Sequence, residues 1–198
     1  MIAYPAKSSG GISLIPAESQ LLRNRKIFLT GPDGIDADSA CEFASLVMLL
    51  TAEDAERPID LLINSPGGDI NAGLLIYDII QGSRTPIRTF CLGRAFSMAA
   101  VLFACGNHGR FILPHSEVML HEPLLGNRIG GNASSVQSIS EALLETKRKI
   151  NGLLAKHTGK TAGEIEEASR YDHYFSAEEA VDFGLADKIE SFDFMTEV

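Results

Sequence analysis

The sequence has no apolar run long enough to cross a bilayer as a helix. Its longest, Met98 to Cys105, falls far short of the ~20 residues such a span needs. It also opens without an apolar block of secretory-signal length, because Met1 to Gly11 carries Pro5, Ser8, Ser9 and two glycines. A soluble, cytoplasmic protein is the expectation, with no membrane partner. Basic residues are the minority, 17 Lys and Arg against 26 Asp and Glu for a formal net charge of -9. With no long Lys/Arg run either, a nucleic-acid backbone is not the expected partner. Cysteine is scarce: Cys41, Cys91 and Cys105 are odd in number and widely spaced, and read as buried reduced thiols rather than a disulfide framework or a metal knuckle. The phosphate-cradling signatures G-x-x-x-x-G-K-[ST] and G-x-G-x-x-G are both absent. No cofactor or metal is expected in this chain.

What remains is 198 residues, 45% of them apolar, enough for one globular domain that buries roughly 70% of its unfolded surface. After an irregular opening through about Asn24, Lys26 to Thr30 reads as a buried strand, punctuated by a turn at Gly31-Pro32-Asp33-Gly34. From Asp36 to about Ala55, residues Ala40, Phe43, Ala44, Val47 and Leu50 recur at helical spacing, with Asp36 or Asp38 as N-cap. The alternation continues with a strand at Ile59–Ile63, a helix at Ile70–Gln81, a strand at Pro86–Leu92 and a helix at Ser97–Ala104. The fold class is therefore α/β, and strands separated by helices favour a mostly parallel sheet of right-handed βαβ units. Short strands follow at Arg110–Leu113 and Glu117–Leu120. A long helix from Ala133 to His157 then carries an apolar stripe and follows the loose Gly126, Gly130, Gly131 segment, so it either projects toward another subunit or lies on the core. Helices at Ala162–Ser169 and Ala177–Phe183, the latter begun by Ser176 and ended by Gly184, complete the chain.

Ligand chemistry in such sheets gathers where strands give way to helices. Ser97 lies at one of these junctions, where a helix start offers unpaired amide N–H groups and partial positive charge. Ala95, Ala99 and Ala100 around it would let a substrate backbone approach, although the surroundings are not a G-x-S-x-G elbow. Alone, such a serine is more often a helix cap. His121 ends the strand Val118-Met119-Leu120, with Pro123 close behind, which suits a general base at an exposed rim. Asp172, just before Phe175-Ser176, could hold the imidazole tautomer, although most aspartates in such loops are merely solvated or capping. Gly67-Gly68 follows Ile63-Asn64-Ser65-Pro66 and can turn a main-chain N–H inward, as an oxyanion donor or simply as a tight turn.

These residues together resemble the proteolytic subunit of the Clp protease (ClpP), within the wider group of ClpP/crotonase-fold proteins. The likeness runs from about Lys26 to Ile189. It rests on Ile63-Asn64-Ser65-Pro66-Gly67-Gly68, Phe96-Ser97-Met98-Ala99, Met119-Leu120-His121-Glu122-Pro123, and Asp172 four residues before Ser176-Ala177-Glu178-Glu179-Ala180. The resemblance implies a ClpP/crotonase-like fold with a projecting handle helix, handle region about 122–158, in one catalytic domain over 26–198 behind a divergent segment 1–25. It further implies a serine endopeptidase with Ser97 as nucleophile, His121 as base and Asp172 as third member. The amides of Gly68 and Met98 would form the oxyanion hole, and Ile70 and Leu124 would pair with the substrate backbone. Unfolded polypeptides would be the substrates. Heptameric rings stacked as a tetradecamer would enclose the sites, fed by an AAA+ unfoldase of the ClpX, ClpA or ClpC type that alone uses ATP.

Departures from that family mark a divergent paralogue. Its Arg-Gly-Glu-containing N-terminal run is not recognisable in Met1 to Gln20, and aromatic positions lining its unfoldase cleft are here Asp60, Leu62 and Gly82, with Phe111 retained. Tyr171 stands where an arginine precedes the aspartate, Glu122 where a glutamine follows the histidine, and the loop before the handle helix is slightly longer. The alternative expectation is a weakly active or regulatory ring subunit working with a paralogous ClpP. A crotonase-type acyl-CoA enzyme is the third reading, for which the Ser97, His121 and Asp172 set has no evident purpose.

Overall fold

The computed structural model describes residues 3–8, 11–31, 34–126 and 130–195. The chain opens with an antiparallel pair, β1 (Ala3–Ser8) and β2 (Gly11–Pro16), followed by helix α1 (Ala17–Arg23). This corrects the expectation of an irregular opening, whose polar and proline-bearing composition hides a local hairpin. Of the turn expected at Gly31 to Gly34, Pro32 and Asp33 lie outside the described residues.

The alternation then runs as β3 (Lys26–Thr30), α2 (Ala37–Glu53), β4 (Ile59–Ser65), α3 (Ile70–Gly82), β5 (Ile87–Phe96) and α4 (Met98–Ala104). Next come β6 (Arg110–Ile112), β7 (Glu117–Leu120), α5 (Ala133–Thr158), α6 (Ala162–Ser169), β8 (His173–Phe175), α7 (Ala177–Phe183), β9 (Lys188–Ile189) and a 3-10 turn at Phe192–Met195. Asp36 caps α2 as expected, its carboxylate accepting from the Ser39 amide at 2.8 Å.

Strands β3, β4, β5, β6 and β9 lie side by side and parallel, and β7 also pairs parallel with β5. Only β7 and β8 in this sheet run antiparallel. The fold is thus α/β with a mostly parallel sheet. Period-2 alternation splits each strand between two faces. Ile27, Leu29, Leu61, Ile63, Ile87 and Cys91 join the main core with α2, α3 and the wholly buried α4. The other face carries a smaller cluster of Leu62 and Phe90 against Leu92, Phe111 and Leu113. Beside it, Asp60 is held between Lys26 at 2.9 Å and Arg88 at 2.6 Å.

Strand β5 reaches Phe96, past the expected end at Leu92, because two neighbours share it. Thr89 to Cys91 pair with β6, and Arg94 to Phe96 pair with β7. Gly93, with φ 89°, lies between the two stretches. Helix α5 buries only Ile150, Asn151 and Leu154, all in its C-terminal half. Its residues from Ala133 to Lys149 are exposed or half-buried, so that end projects from the core. No helix among the described residues is long and apolar enough to cross a membrane.

Candidate active site

Strand register brings the site together. Phe96 at the end of β5 pairs with Met119 of β7, and the Ser97 amide donates to the Met119 carbonyl at 2.9 Å. His121 follows one residue after β7 ends. Its Nε2 lies 2.7 Å from Ser97 Oγ, within hydrogen-bond reach although 24 positions separate the two residues.

Ser97 is the residue before α4 and has φ 56° and ψ -124°. Only Ser97 and Arg25 among the described non-glycine residues have positive φ. Such a conformation costs about 1–3 kcal/mol and persists only where the surroundings impose it. Ser97 stands at the N-cap position of α4 but makes no side-chain cap hydrogen bond to it. Its hydroxyl faces the imidazole instead. Met98 is the first helical residue, and its amide is among those a helix start leaves unpaired.

Asp172 is a loop residue, as expected, and immediately precedes the short strand β8. The antiparallel register pairs Leu120 with His173, so the next residues outward, His121 and Asp172, stand side by side. His121 Nδ1 and Asp172 Oδ1 are 3.8 Å apart, beyond a direct hydrogen bond. The imidazole side is 15% exposed and the carboxylate 64%.

The glycine pair meets the serine from β4. Gly67 is packed so closely that a Cβ there would lie 2.7 Å from both the Phe96 carbonyl and the Ser97 Cβ. Gly68 forms a parallel bridge with Ile35, in which the Ile35 amide donates to the Gly67 carbonyl and the Asp69 amide to the Ile35 carbonyl, both at 2.7 Å. In a parallel bridge of that pattern the bridged residue's own N–H points to the opposite edge. Gly68 lies just beyond β4, whose other neighbour in the sheet is β5.

A narrow recess of about 30 Å³ opens beside the serine, walled by Ile70, Met98, Val101, Leu120, Ile150 and Leu154 together with Ser97, His121 and Pro123. Ile70 thus borders the site from the first turn of α3, whereas Leu124 stands beyond Pro123 with 71% exposure and lines no part of the recess. Cys91 and Cys105 are buried thiols as expected, and burial pushes Cys91 up to about 12. Cys41 is exposed, a correction that follows from its place on the outer face of α2. Among the described residues no group of three or more His, Cys, Asp or Glu is placed to hold a metal ion.

Sequence reasoning did not reach Lys147 of α5, whose ammonium is 2.7 Å from Glu122 and 2.8 Å from Glu166. Its i, i+3, i+7 spacing with Ile150 and Leu154 was the available signal, since those residues wall the recess.

A serine hydroxyl thus meets an imidazole at a strained strand-to-helix junction on a mostly parallel α/β sheet. The Clp protease family model matches residues 10–192. The chain belongs to that family and is a ClpP-like protease subunit.

Proposed function

We propose that this subunit is a serine endopeptidase that hydrolyses peptide bonds of unfolded polypeptides through an acyl-enzyme on Ser97. The observation that carries the reading is the 2.7 Å contact between Ser97 Oγ and His121 Nε2 at the start of helix α4. His121 takes the hydroxyl proton as Oγ attacks the scissile carbonyl, then gives it to the leaving amine. Water, activated by the same imidazole, releases the acyl group. The developing oxyanion is met by the amides of Gly68 and Met98.

Asp172 fixes the Nδ1–H tautomer once the 3.8 Å gap to His121 shortens by about 1 Å, the kind of tightening that accompanies substrate binding. The recess beside Ser97 is apolar on almost every side, so the residue before the cut is apolar. An extended substrate lies along Ile70 and Leu124, held mainly by its backbone. Rings of seven, stacked in pairs, enclose the sites, and an AAA+ unfoldase supplies unfolded chains using ATP.

A fluorophosphonate probe tests this reading on the assembled protein. Ser97 is labelled and Ser97→Ala is not; an assembled particle that stays unlabelled overturns it. The second reading, a regulatory ring subunit beside a paralogous ClpP, is favoured by Asp60. Where the family has an aromatic cleft residue, this chain has a carboxylate 4% exposed between Lys26 and Arg88. If Ser97→Ala removes no peptidase activity from a mixed particle, the regulatory reading replaces the first.

A further inference from the structure

We propose that Lys147 is a positioning residue that keeps the imidazole and carboxylate of the site within closing distance of each other, by holding with one ammonium the two chain segments that deliver His121 and Asp172. This rests on the reading of Ser97 and His121 as an acyl-transfer pair. Glu122, the residue after His121, lies 2.7 Å from Lys147 Nζ, and Glu166 of α6, six positions before Asp172, lies 2.8 Å from the same nitrogen. The two carboxylates thus belong to separate segments, and α5 is their common anchor.

Exposed pairs contribute little, about 0–1 kcal/mol, and with Glu122 36% and Glu166 54% exposed the stabilisation here is small; what sets Lys147 apart is that one ammonium, itself 18% exposed, bridges two separate segments. Residues 121–126 form no helix or strand, so little main-chain pairing fixes Glu122. Helix α6 is fixed in the core by Ile165 and Ala168, and Glu166 stands between these on its outer side. The two hydrogen bonds that Lys147 donates to the Glu122 and Glu166 carboxylates also favour the charged ammonium and hold it above its usual range.

Lys147, Ile150 and Leu154 lie along one face of α5, and the latter two wall the recess. A displacement of α5 therefore moves the recess wall, the segment after the base and the helix before its orienting carboxylate together. With both Lys147 contacts made the His121–Asp172 distance is 3.8 Å, so the clamp sets the separation from which the arm closes. A misplacement of about 1 Å at such a contact costs up to a hundredfold in rate.

The test compares the parent with Lys147→Met, which keeps the apolar stem, and Lys147→Arg, which keeps the charge. Three readouts are the rate of Ser97 labelling by a fluorophosphonate, kcat against KM on a fluorogenic peptide, and the His121 tautomer, with a peptide ligand bound, from nitrogen shifts of 15N-histidine protein. For Lys147→Met, labelling and kcat fall between about tenfold and a hundredfold with KM within about twofold, and the Nδ1–H tautomer of His121 is depleted. Lys147→Arg restores all three. In an Asp172→Asn background, Lys147→Met brings no further loss.

Parent-like labelling and tautomer in Lys147→Met, at the parent's native mass, overturn the proposal. If the parent itself is never labelled, the peptidase reading fails, while the tautomer comparison still decides the clamp. If Lys147→Met does not assemble, Glu122→Gln, which keeps the shape and removes one charge, takes its place: slowed labelling with a depleted tautomer supports the clamp, and parent-like values overturn it.

Discussion

Ser97 carries a backbone cost that its chemistry explains. At φ 56° a side chain is strained and glycine is not. Ser97→Ala keeps the strain and loses the hydroxyl, whereas Ser97→Gly loses both. Strain relief of about 1–3 kcal/mol outweighs the roughly 0.4–1 kcal/mol by which glycine favours the unfolded chain. Thermal unfolding should therefore find Ser97→Gly more stable than Ser97→Ala by about 1 kcal/mol, with neither variant labelled; equal or lower stability would show that the junction is unstrained. His157 gives a second residue-level expectation. Its Nε2 is 2.9 Å from the Tyr77 hydroxyl, and burial, then Lys156 and Arg110, hold its pKa below the usual imidazole value. A lowered folded-state pKa stabilises above the unfolded value, about 6.5, and that contribution is lost as pH falls through the folded value. Unfolding temperatures measured downward from pH 8 should fall below about pH 6.5 more steeply for the parent than for His157→Gln.

At the scale of elements, most of the fold was legible because helices and parallel strands write their periods into local sequence. The Ala40, Phe43, Val47 and Leu50 stripe became the buried face of α2. Ser176 and Gly184 bound α7 as their types suggested. The hairpin of β1 and β2 and the short β8 were not legible, since strands of few residues are defined by partners rather than by pattern. His173 and Tyr174 are exposed, so β8 leaves no alternation to read, and only its register with β7 sets Asp172 beside His121. For the same reason, Ser97, His121 and Asp172 could be named from the sequence, but the 3.8 Å arm could not. Two helix ends supply a paired prediction. Gly159 and Gly184 both cap in the left-handed region, with φ 73° and 89°. A Cβ on Gly159 meets open space, but on Gly184 it would lie 2.4 Å from the Thr158 carbonyl oxygen at the end of α5. Gly159→Ala should cost about 1 kcal/mol and Gly184→Ala distinctly more, because backbone must move; equal losses in denaturation experiments would argue against the tight α5–α7 approach.

For the whole molecule, the question is what the projecting part of α5 is for. Helices derive most of their stability from a packed apolar face, and this one leaves Val136 42% and Leu144 52% exposed on a stretch that the subunit's own core does not cover. Covering that stripe with the same stripe from a facing subunit would bury it, and in the proposed ring of seven the contact would repeat around the axis. If α5 is the contact between rings, Val136→Asp with Leu144→Asp places charge where apolar surface must desolvate, a change that disfavours association strongly. Native mass spectrometry should then find the particle at half its parent mass, with single rings intact, since Val136 and Leu144 are not among the residues that α5 buries in its own subunit. Unchanged mass would assign the stripe another role. Loss of rings altogether would place the contact within the ring rather than between rings. Peptidase activity should fall with the stacking even though Ser97 and His121 are untouched, because α5 also walls the recess and, through Lys147, holds Glu122 beside the base.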